Sequence, residues 1–357
     1  MRIIAHIDMD AFFAAIEERD HKKFQGLPVV VGSDPKEGRG RGVVSTANYK
    51  ARKYGIHSAL PISRAWQLSE RAKREGKPEV IFVEPHFKKY AEVSRSVAGI
   101  VRKYAERVEE TSIDESYFDL SFAGSYKKAE EIAKKLKREI NDKEKLTASV
   151  GIGPNKLVAK IASDFQKPDG LTIVRENEAE SFLSPLPVRK IPGIGPKTET
   201  FLRGKNIFTV SDLKKLSKLE LEEMFGKWGA EMFERARGRD DSEITEEYEI
   251  KSVGEQETFE EDTLDFDFIV RMIRKMCRNI IGRLAEEGFS DFRTVVLTVR
   301  FADFETKTRS HTLKKPTQSL RELEFEAIKL LMPFTDRREN PRRRLIRLVG
   351  VRIEKLA

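Results

Sequence analysis

Three acidic residues have types and spacing that could support chemistry. Asp8 closes a short apolar run, and Asp114 and Glu115 are adjacent within VEETSIDESYFDLS, a stretch without a basic residue. If the strands that carry these acids are neighbours in one sheet, three mutually repelling carboxylates meet at one edge and need a cation. Oxygen ligands suit Mg²⁺, and two such ions about 4 Å apart can activate a hydroxyl and stabilise the leaving oxygen of a phosphoryl transfer. On spacing alone, three ordinary surface acids at strand ends remain the alternative.

The segments around these acids predict a sheet covered by helices. Residues 2–8 (RIIAHID) form a short run rich in β-branched residues, typical of a buried strand, and VEETSIDESYFDLS predicts two strands around a tight turn. We expect helices over 87–107, 127–141 and 154–165, with the strand LTASVGIG before the last of them. An antiparallel hairpin with covering helices indicates an α+β region.

The rest of the chain divides by composition. AFFAAIEERD predicts a helix, LPVVVGS and EVIFVEP predict strands, VVSTANYKARKYG predicts a strand followed by a helix, and the polar SERAKREGKP predicts a boundary. Between 176 and 238, short helices separated by IPGIGPK and FGKWG predict an all-helical unit, and the polar GRDDSEITEEYE predicts a linker. The last segment predicts a second α+β unit with helices over 266–287 and 319–332 and the strands FRTVVLTVRF, TKTRSHTL and RLIRLVGVRI.

Composition narrows the class of protein. The 357 residues include 67 Lys and Arg against 59 Asp and Glu, for a net charge of +8, which is compatible with a polyanionic partner or simply with a basic surface. A single cysteine excludes an internal disulfide, and with five histidines a Cys/His zinc site is not expected. The sequence contains no apolar run of roughly 18 residues, and MRIIAHIDMD does not read as a secretory signal. We therefore expect a cytoplasmic protein.

Four motifs occur in order: DMDAFFAAIE, VVSTANYKARKYGI, SIDESYFDLS and SVGIGPNKLVAKIASDFQKPDG. Together they closely resemble the Y-family DNA polymerases, and most closely the DinB branch, which contains bacterial DNA polymerase IV and its archaeal relatives. The resemblance implies an α+β multidomain, right-hand polymerase with a ferredoxin-like palm, small fingers, a helical thumb with a helix-hairpin-helix, and an α+β little finger. The implied ranges are palm 1–11 and 78–175, fingers 12–77, thumb 176–238, linker 239–249 and little finger 250–357.

The same resemblance implies a metal site. In the family, Asp8, Asp114 and Glu115 are the catalytic acids, and together with the Met9 carbonyl they bind two Mg²⁺ ions per active site, with Mn²⁺ as a substitute. One ion, held by Asp8, Asp114 and Glu115, lowers the pKa of the primer 3′-hydroxyl. The other, held by Asp8, the Met9 carbonyl and Asp114, clamps the triphosphate. The family pattern does not use Asp10 as a ligand, and we interpret it as structural.

The nucleotide pocket is implied by a second set of residues. AFF opens a helix whose N–H groups can meet phosphate oxygens, which places Phe12 at the pocket, and Phe13 matches the steric gate that excludes a ribose 2′-hydroxyl by volume. Without the family context, Phe13 is a core residue at helical spacing with Ile16, and Arg52 and Lys167 are solvated charges. The other implied nucleotide contacts are Ser45 and Thr46 beside the nascent base pair and Tyr49, Arg52 and Lys167 on the triphosphate.

Two segments predict DNA contact. KIPGIGPKTETFLRGKNI resembles a helix-hairpin-helix, in which Gly193 and Gly195 let the backbone approach a phosphate beside Lys197. A plain tight turn between helices is the alternative. DRRENPRRRLIR holds six arginines within 337–347, and phosphate contact by Arg342, Arg343 and Arg344 is weighed against an ordinary solvated face.

The implied activity is template-directed addition of deoxynucleotides to a primer 3′ end by a low-fidelity translesion polymerase without a proofreading domain. Primer–template DNA and deoxynucleoside triphosphates are the implied partners of a nucleoid-associated monomer, with no membrane contact. Family members commonly end in a glutamine-plus-aromatic peptide that docks on the sliding clamp. The sequence stops at VRIEKLA, so we expect either a truncated chain or clamp contact elsewhere.

Two other classes of protein are alternatives to a translesion polymerase. A non-catalytic DNA-binding relative would keep the basic surfaces and could lose the acids, which are all present here. A palm-fold nucleotide cyclase would share the metal chemistry but would not need IPGIGPK or the basic C-terminal domain.

Overall fold

The computed structural model describes residues 1–247 and 249–357. The chain divides into two compact units, the first comprising Met1–Gly38 and Val43–Glu247 and the second comprising Arg39–Gly42 and Tyr248–Ala357. In the described ranges, no helix is both long enough and apolar enough to cross a membrane.

The first unit carries eight of the described strands and most of the described helices. Its strands are β1 (Ile4–Met9), β2 (Val29–Gly32), β3 (Val44–Ala47), β4 (Ile81–Val83), β5 (Val108–Glu110), β6 (Glu115–Asp119), β7 (Ala148–Gly153) and β8 (Leu171–Ile173). Its helices are α1 (Phe12–Asp20), α2 (Tyr49–Arg52), α3 (Ile62–Arg74), α4 (Phe87–Val101), α5 (Tyr126–Glu144), α6 (Lys156–Ser163), α7 (Ala179–Leu183), α8 (Pro196–Arg203), α9 (Val210–Lys214), α10 (Lys218–Phe225) and α11 (Lys227–Arg235).

The main sheet of this unit has the order β5-β6-β1-β7-β8. β1 lies at its centre, pairs antiparallel with β6 and β7, and is buried at every position, as expected for a strand covered on both faces. One face packs against α4 and α5 in a core that includes Ile7, Phe118 and Leu136. The opposite face of β1 and β7 packs against α6. His6 and Asp8 point to this face.

A smaller sheet has the order β3-β2-β4, with β4 parallel to β2. Its core of valines and alanines includes Val30, Val44 and Ala65. The predicted palm–fingers boundary at residue 77 separates β4 from the strand that it pairs with. The boundary stays a prediction, but the sheet draws strands from both sides of it.

The segment from 239 to 247 has no helix or strand but is packed onto the first unit. Ile244 is buried in a small cluster with Ile4, Tyr117 and Ala159. The Glu109 carboxylate accepts the Thr245 N–H at 2.9 Å, and further hydrogen bonds join this segment to Arg2 and Arg107. This part of the predicted linker 239–249 is therefore held in place, and its residue 248 lies outside the described residues.

The second unit is a four-stranded antiparallel sheet with helices α12 and α13 against it. Its sheet order is β11-β10-β12-β9, and α12 supplies the apolar stripe expected from its sequence, including Ile273, Met276 and Ile280. Its elements are β9 (Ser252–Thr263), α12 (Phe266–Glu286), β10 (Phe292–Phe301), β11 (Thr306–Thr317), α13 (Leu320–Thr335) and β12 (Ile346–Glu354).

The predicted α+β multidomain fold is confirmed, and two local differences have physical causes. α4 ends at Val101 rather than at 107, because the chain must turn so that β5 can start at Val108 beside β6. β9 was not expected from the sequence. It is an edge strand on which only Val253 and Phe259 are fully buried, so its apolar alternation is too weak to recognise.

Candidate active site

Two of the predicted acids meet in the main sheet. Asp8 on β1 lies directly opposite Glu115, the first residue of β6, and the two side chains point to the same face. Asp8 is 7% exposed, whereas Glu115 is half-buried. The antiparallel register therefore places two carboxylates side by side at the end of a fully buried strand.

Two lysines supply the charge that these carboxylates require. Lys167 Nζ lies 2.5 Å from an Asp8 oxygen and 3.1 Å from Asp164, and Lys160 Nζ on α6 lies 2.7 Å from a Glu115 oxygen. Each lysine therefore neutralises one acid of the pair. Lys167 was expected to contact a triphosphate, and in this structure its contact is the acid itself.

Burial and the neighbouring carboxylate shift the pair in opposite directions. Burial raises the pKa of Asp8 to about 7, although Lys167 opposes the rise, and a hydrogen bond to Glu115 adds to it. Burial also opposes ionisation of Glu115, but the hydrogen bond from Asp8 and the Lys160 ion pair outweigh it, so the Glu115 pKa is lowered. The pair therefore retains a proton on Asp8 near neutral pH.

Asp114 lies beside this pair but is turned away from it. Its carboxylate accepts the Ser112 hydroxyl at 2.7 Å within the β5–β6 turn, and its backbone oxygen accepts the Met9 N–H at 3.0 Å. Within residues 1–247 and 249–357, no three His, Cys, Asp or Glu side chains converge as a metal site. The structure thus brings Asp8 and Glu115 together and places Asp114 and Met9 next to them through the backbone.

The donor set nevertheless fits a divalent cation. Two carboxylates share one rung of the sheet, where each forms an ion pair with a lysine, and a third carboxylate follows in the adjoining turn. Hard oxygen donors of this kind suit Mg²⁺ or Mn²⁺. Rotation of the Asp114 side chain away from Ser112 is the adjustment that a three-acid site requires.

Sequence reasoning missed two residues of this site, Lys160 and His6. His6 is fully buried, its Nδ1 lies 2.8 Å from the Ser163 hydroxyl, and its Nε2 lies 3.9 Å from Glu115 with no hydrogen-bond partner among the described residues. Burial lowers the His6 pKa to about 3, so the ring is neutral. The sequence signal that could have pointed to Lys160 is its spacing from Lys156, which lies four residues earlier on the same face of α6.

Phe13 is part of an aromatic wall that it forms with Phe87 and Tyr90. Its ring stacks on Tyr90 of α4 at 4.3 Å between centroids and meets Phe87 edge-on at 6.1 Å. The Tyr90 hydroxyl is tied to Glu17 at 2.7 Å. Phe13 is only partly buried, whereas Phe12 is in the core, so the wall presents Phe13 and not Phe12.

Tyr49 and Arg52 share one face of α2, as expected from their spacing. The Arg52 guanidinium lies 4.6 Å from the Tyr49 ring and its Nε donates to the Ala47 carbonyl at 2.8 Å. Ser45 and Thr46 are half-buried on β3, which leads directly into this helix through the cap residue Asn48. The strand-to-helix junction therefore brings together these four of the seven predicted nucleotide contacts.

The hairpin before α8 holds the three residues predicted to contact a DNA phosphate. Gly193 adopts φ +94° and Gly195 caps α8, with Pro196 at its first position and Lys197 exposed. The Arg235 guanidinium donates to the Pro192 carbonyl at 3.0 Å and lies 4.8 Å from the Trp228 ring. These two contacts of Arg235 hold the turn at Pro192 in place.

The three predicted arginines of the second unit differ from one another. Arg344 is bonded to Asp303 at 2.9 Å and to Glu305, and its guanidinium lies 3.9 Å from the Phe301 ring. Arg342 and Arg343 are exposed on the surface. Phosphate contact remains a prediction for all three, and the two exposed arginines are the better placed.

Three segments of the chain match families of known proteins. Residues 7–164 match the impB/mucB/samB family, residues 250–357 match the C-terminal domain of that family, and residues 189–240 match the thumb domain of DNA polymerase-iota. DNA polymerase IV 2 of Methanosarcina mazei is 44% identical over 356 residues, which cover 99% of this chain and 92% of that protein.

Solved structures agree with these sequence matches. A Y-family DNA polymerase chimera, Dbh-Dpo4(243-245)-Dbh, superposes with a TM-score of 0.86 at 29% identity over 99% of both chains. An insertion ternary complex of Dbh DNA polymerase superposes with a TM-score of 0.67 at 29% identity, again over 99% of both chains. This chain therefore belongs to the Y family of DNA polymerases, in the branch of DNA polymerase IV, and is a DNA-directed DNA polymerase.

Proposed function

We propose that this polymerase extends a primer 3′ end by two-metal-ion phosphoryl transfer and carries out translesion synthesis with low fidelity and without proofreading. The observation that carries the proposal is the shared rung of Asp8 and Glu115, at the end of the central strand of the main sheet. A buried pair of carboxylates neutralised by lysines is costly to maintain unless the site has a use for it.

Asp8, Glu115, a rotated Asp114 and the Met9 carbonyl would hold the two divalent ions. Such ions supply a lowered pKa for the attacking 3′-hydroxyl and charge stabilisation for the leaving pyrophosphate. With such ions held, Asp8 would be ionised, and Lys160 and Lys167 would no longer be needed as counter-ions of the two acids. Lys167, on the loop after α6, is then available to pair with triphosphate oxygens.

The remaining nucleotide contacts follow from the strand-to-helix junction and the aromatic wall. Arg52 presents its guanidinium on the helix face that it shares with Tyr49, whose ring supports it at 4.6 Å, and this arrangement suits a triphosphate tail. Phe13 excludes a 2′-hydroxyl by volume, and its stacking on Tyr90 prevents the ring from swinging aside. The small Ser45 leaves room at the nascent base pair, in keeping with a tolerant pocket.

We assign DNA binding to two surfaces, each within its own unit. The hairpin with Gly193, Gly195 and Lys197 contacts a phosphate through backbone amides, and Arg342 and Arg343 contact phosphates from the second unit. The similarity to a structure described as an insertion ternary complex supports primer–template DNA and a deoxynucleotide as partners. In this assignment, palm (1–11 and 78–175), fingers (12–77), thumb (176–238) and little finger (250–357) follow the family layout.

The test replaces Asp114 and Glu115 together by alanine and measures primer extension and DNA binding with Mg²⁺. We expect extension to disappear while the affinity for primer–template is retained. Glu110→Ala is the matched control, because Glu110 lies in the same hairpin on the opposite face of the sheet and pairs with Arg102 at 2.5 Å. Extension retained by the double variant would refute the site. Running-start extension over damaged and undamaged templates tests lesion bypass.

A further inference from the structure

Asp10 is a buried acid that the proposed chemistry does not use. It is 4% exposed and follows the end of β1, two residues after Asp8. One of its oxygens accepts the Tyr49 hydroxyl at 3.2 Å and the Ser149 hydroxyl at 2.8 Å. The other accepts the backbone N–H of Asp169 at 2.8 Å. Three donors from three parts of the chain therefore converge on one carboxylate.

Each donor belongs to an element that holds part of the nucleotide site. Tyr49 is the first residue of α2 and carries the Arg52 guanidinium on its ring. Asp169 lies two residues after Lys167, in the loop that brings this lysine to Asp8. Ser149 on β7 lies opposite Asp8 and also accepts the Gly170 N–H at 3.3 Å. Asp10 therefore joins α2 and the Lys167 loop to the central sheet.

The Lys167 loop is held from a second side, which shows that its position is determined by packing. Lys137 of α5, largely buried, donates to the Asp169 carbonyl at 2.5 Å and to the Gly170 carbonyl at 2.9 Å. With Asp10 on the N–H of Asp169 and Lys137 on its carbonyl, both backbone polar groups of that residue are fixed. A lysine two residues away inherits this constraint.

We propose that Asp10 is a positioning residue for the incoming nucleotide: by holding the Tyr49 hydroxyl and the Asp169 amide, it sets the distance between Arg52, which lies against the Tyr49 ring, and Lys167 so that both reach one triphosphate. The inference rests on the proposed nucleotide role of Arg52 and Lys167. Asp10 acts through them and is not assigned to the metal ions, because three donors from α2, β7 and the Lys167 loop already hold its carboxylate in place. The required readout is therefore nucleotide affinity rather than metal affinity.

The experiment compares Asp10→Asn, Tyr49→Phe and the double variant in steady-state single-nucleotide extension on undamaged DNA. An amide cannot accept from all three donors, so Asp10→Asn should raise the KM for the nucleotide about tenfold or more, with kcat changed about threefold or less. Tyr49→Phe, which removes one of these hydrogen bonds at the rim, should raise the KM by a smaller factor. The double variant should show less than the product of the two effects, because the residues act as a unit.

Two controls make the outcome decisive. Ser69→Ala removes a buried hydroxyl that accepts the Val80 N–H at 3.0 Å and should lower stability without raising the KM, so a KM effect of equal size there would overturn the inference. Asp10→Asn should leave the half-saturating Mg²⁺ concentration within about twofold of the parent. A large rise in the Mg²⁺ requirement with an unchanged nucleotide KM would overturn the inference in favour of a ligand role.

The inference and the proposed function fail in different ways. If Arg52→Met and Lys167→Met both leave the nucleotide KM unchanged, the proposed nucleotide contacts are wrong and the inference falls with them. If either variant raises the KM while Asp10→Asn does not, the contacts stand and only the inference is overturned. If Asp10→Asn fails to fold, the effect of Tyr49→Phe on the KM decides, because Tyr49 is half-buried and keeps its ring packing in this variant.

Discussion

Two glycines of the hairpin before α8, separated by a single residue, should respond oppositely to a methyl group. A Cβ at Gly193 would lie 2.5 Å from the Trp228 ring, and this residue has φ +94°. A Cβ at Gly195 would meet no described atom within 4 Å, and that residue has φ −83°. Gly193→Ala should therefore damage the thumb, whereas Gly195→Ala should leave it folded.

The structure sets the size of the difference. Left-handed backbone costs an alanine roughly 1–2 kcal/mol, and forcing a methyl into a packed ring adds roughly 1–3 kcal/mol. Gly193→Ala should thus lower the free energy of unfolding of the thumb by about 2–5 kcal/mol. Gly195 is the N-cap of α8, where alanine is a poorer cap than glycine, so Gly195→Ala should cost about 1 kcal/mol or less.

Trp228 itself provides the assay. The chain has two tryptophans, Trp66 and Trp228, so a Trp66→Phe background leaves a fluorophore that lies in the thumb against Gly193. Urea unfolding followed by fluorescence gives the stability of each alanine variant, and fluorescence anisotropy of labelled primer–template gives its DNA affinity. For Gly195→Ala we expect near-parental stability with weakened binding, because the methyl stands where a phosphate must approach the backbone.

Either of two results would refute this reasoning. Equal stability of the two variants would show that the contact between Gly193 and Trp228 does not limit the hairpin. If Gly195→Ala binds DNA with the affinity of the parent, the backbone at Gly195 does not approach DNA. The hairpin would then be a plain turn between helices.

Three further predictions concern other parts of the molecule. Phe13→Ala should lower the preference for deoxynucleotides over ribonucleotides by about tenfold or more, as measured by competing single-nucleotide extension, and unchanged discrimination would contradict a steric gate. Because the raised pKa of Asp8, about 7, means that a bound proton competes with metal below that pH, the Mg²⁺ concentration for half-maximal extension should rise as pH falls from 8 to 6, and a flat titration would contradict it. Ile244→Ala should cost about 2–4 kcal/mol and expose the segment 239–247 to proteolysis, whereas an unchanged cleavage rate would show that the segment is not anchored there.

Much of the fold could be predicted because its signals are local. β1, β2 and β7 are short, mainly apolar runs, and α12 shows a clear helical stripe, so pattern and length identify them. The β5–β6 hairpin was also predictable, since two strands around a tight turn depend on a few consecutive residues. β9 was missed because an edge strand buries few side chains and therefore carries little periodicity.

The candidate site divides along the same line. Contiguous motifs pointed to the acids, to Phe12 and Phe13, and to the hairpin glycines. They did not point to the residues that these groups contact in the folded protein. Lys160 and Lys167 were not foreseen as counter-ions, and Asp114 was not expected to turn toward Ser112. Such contacts depend on how α6 and the following loop pack against the sheet, and a motif does not encode that packing.

By itself, the sequence determined which residues could form the site. Motifs of consecutive residues carry the three acids, the proposed steric gate Phe13 and the glycines of the hairpin before α8. Only the tertiary structure decided that Asp8 and Glu115 share a rung, that two lysines neutralise them, and that Asp10 joins α2 to the Lys167 loop. The physical reason is that these contacts join segments far apart in the chain. Their energies depend on distance, burial and register, which exist only once the sheet and its covering helices have assembled.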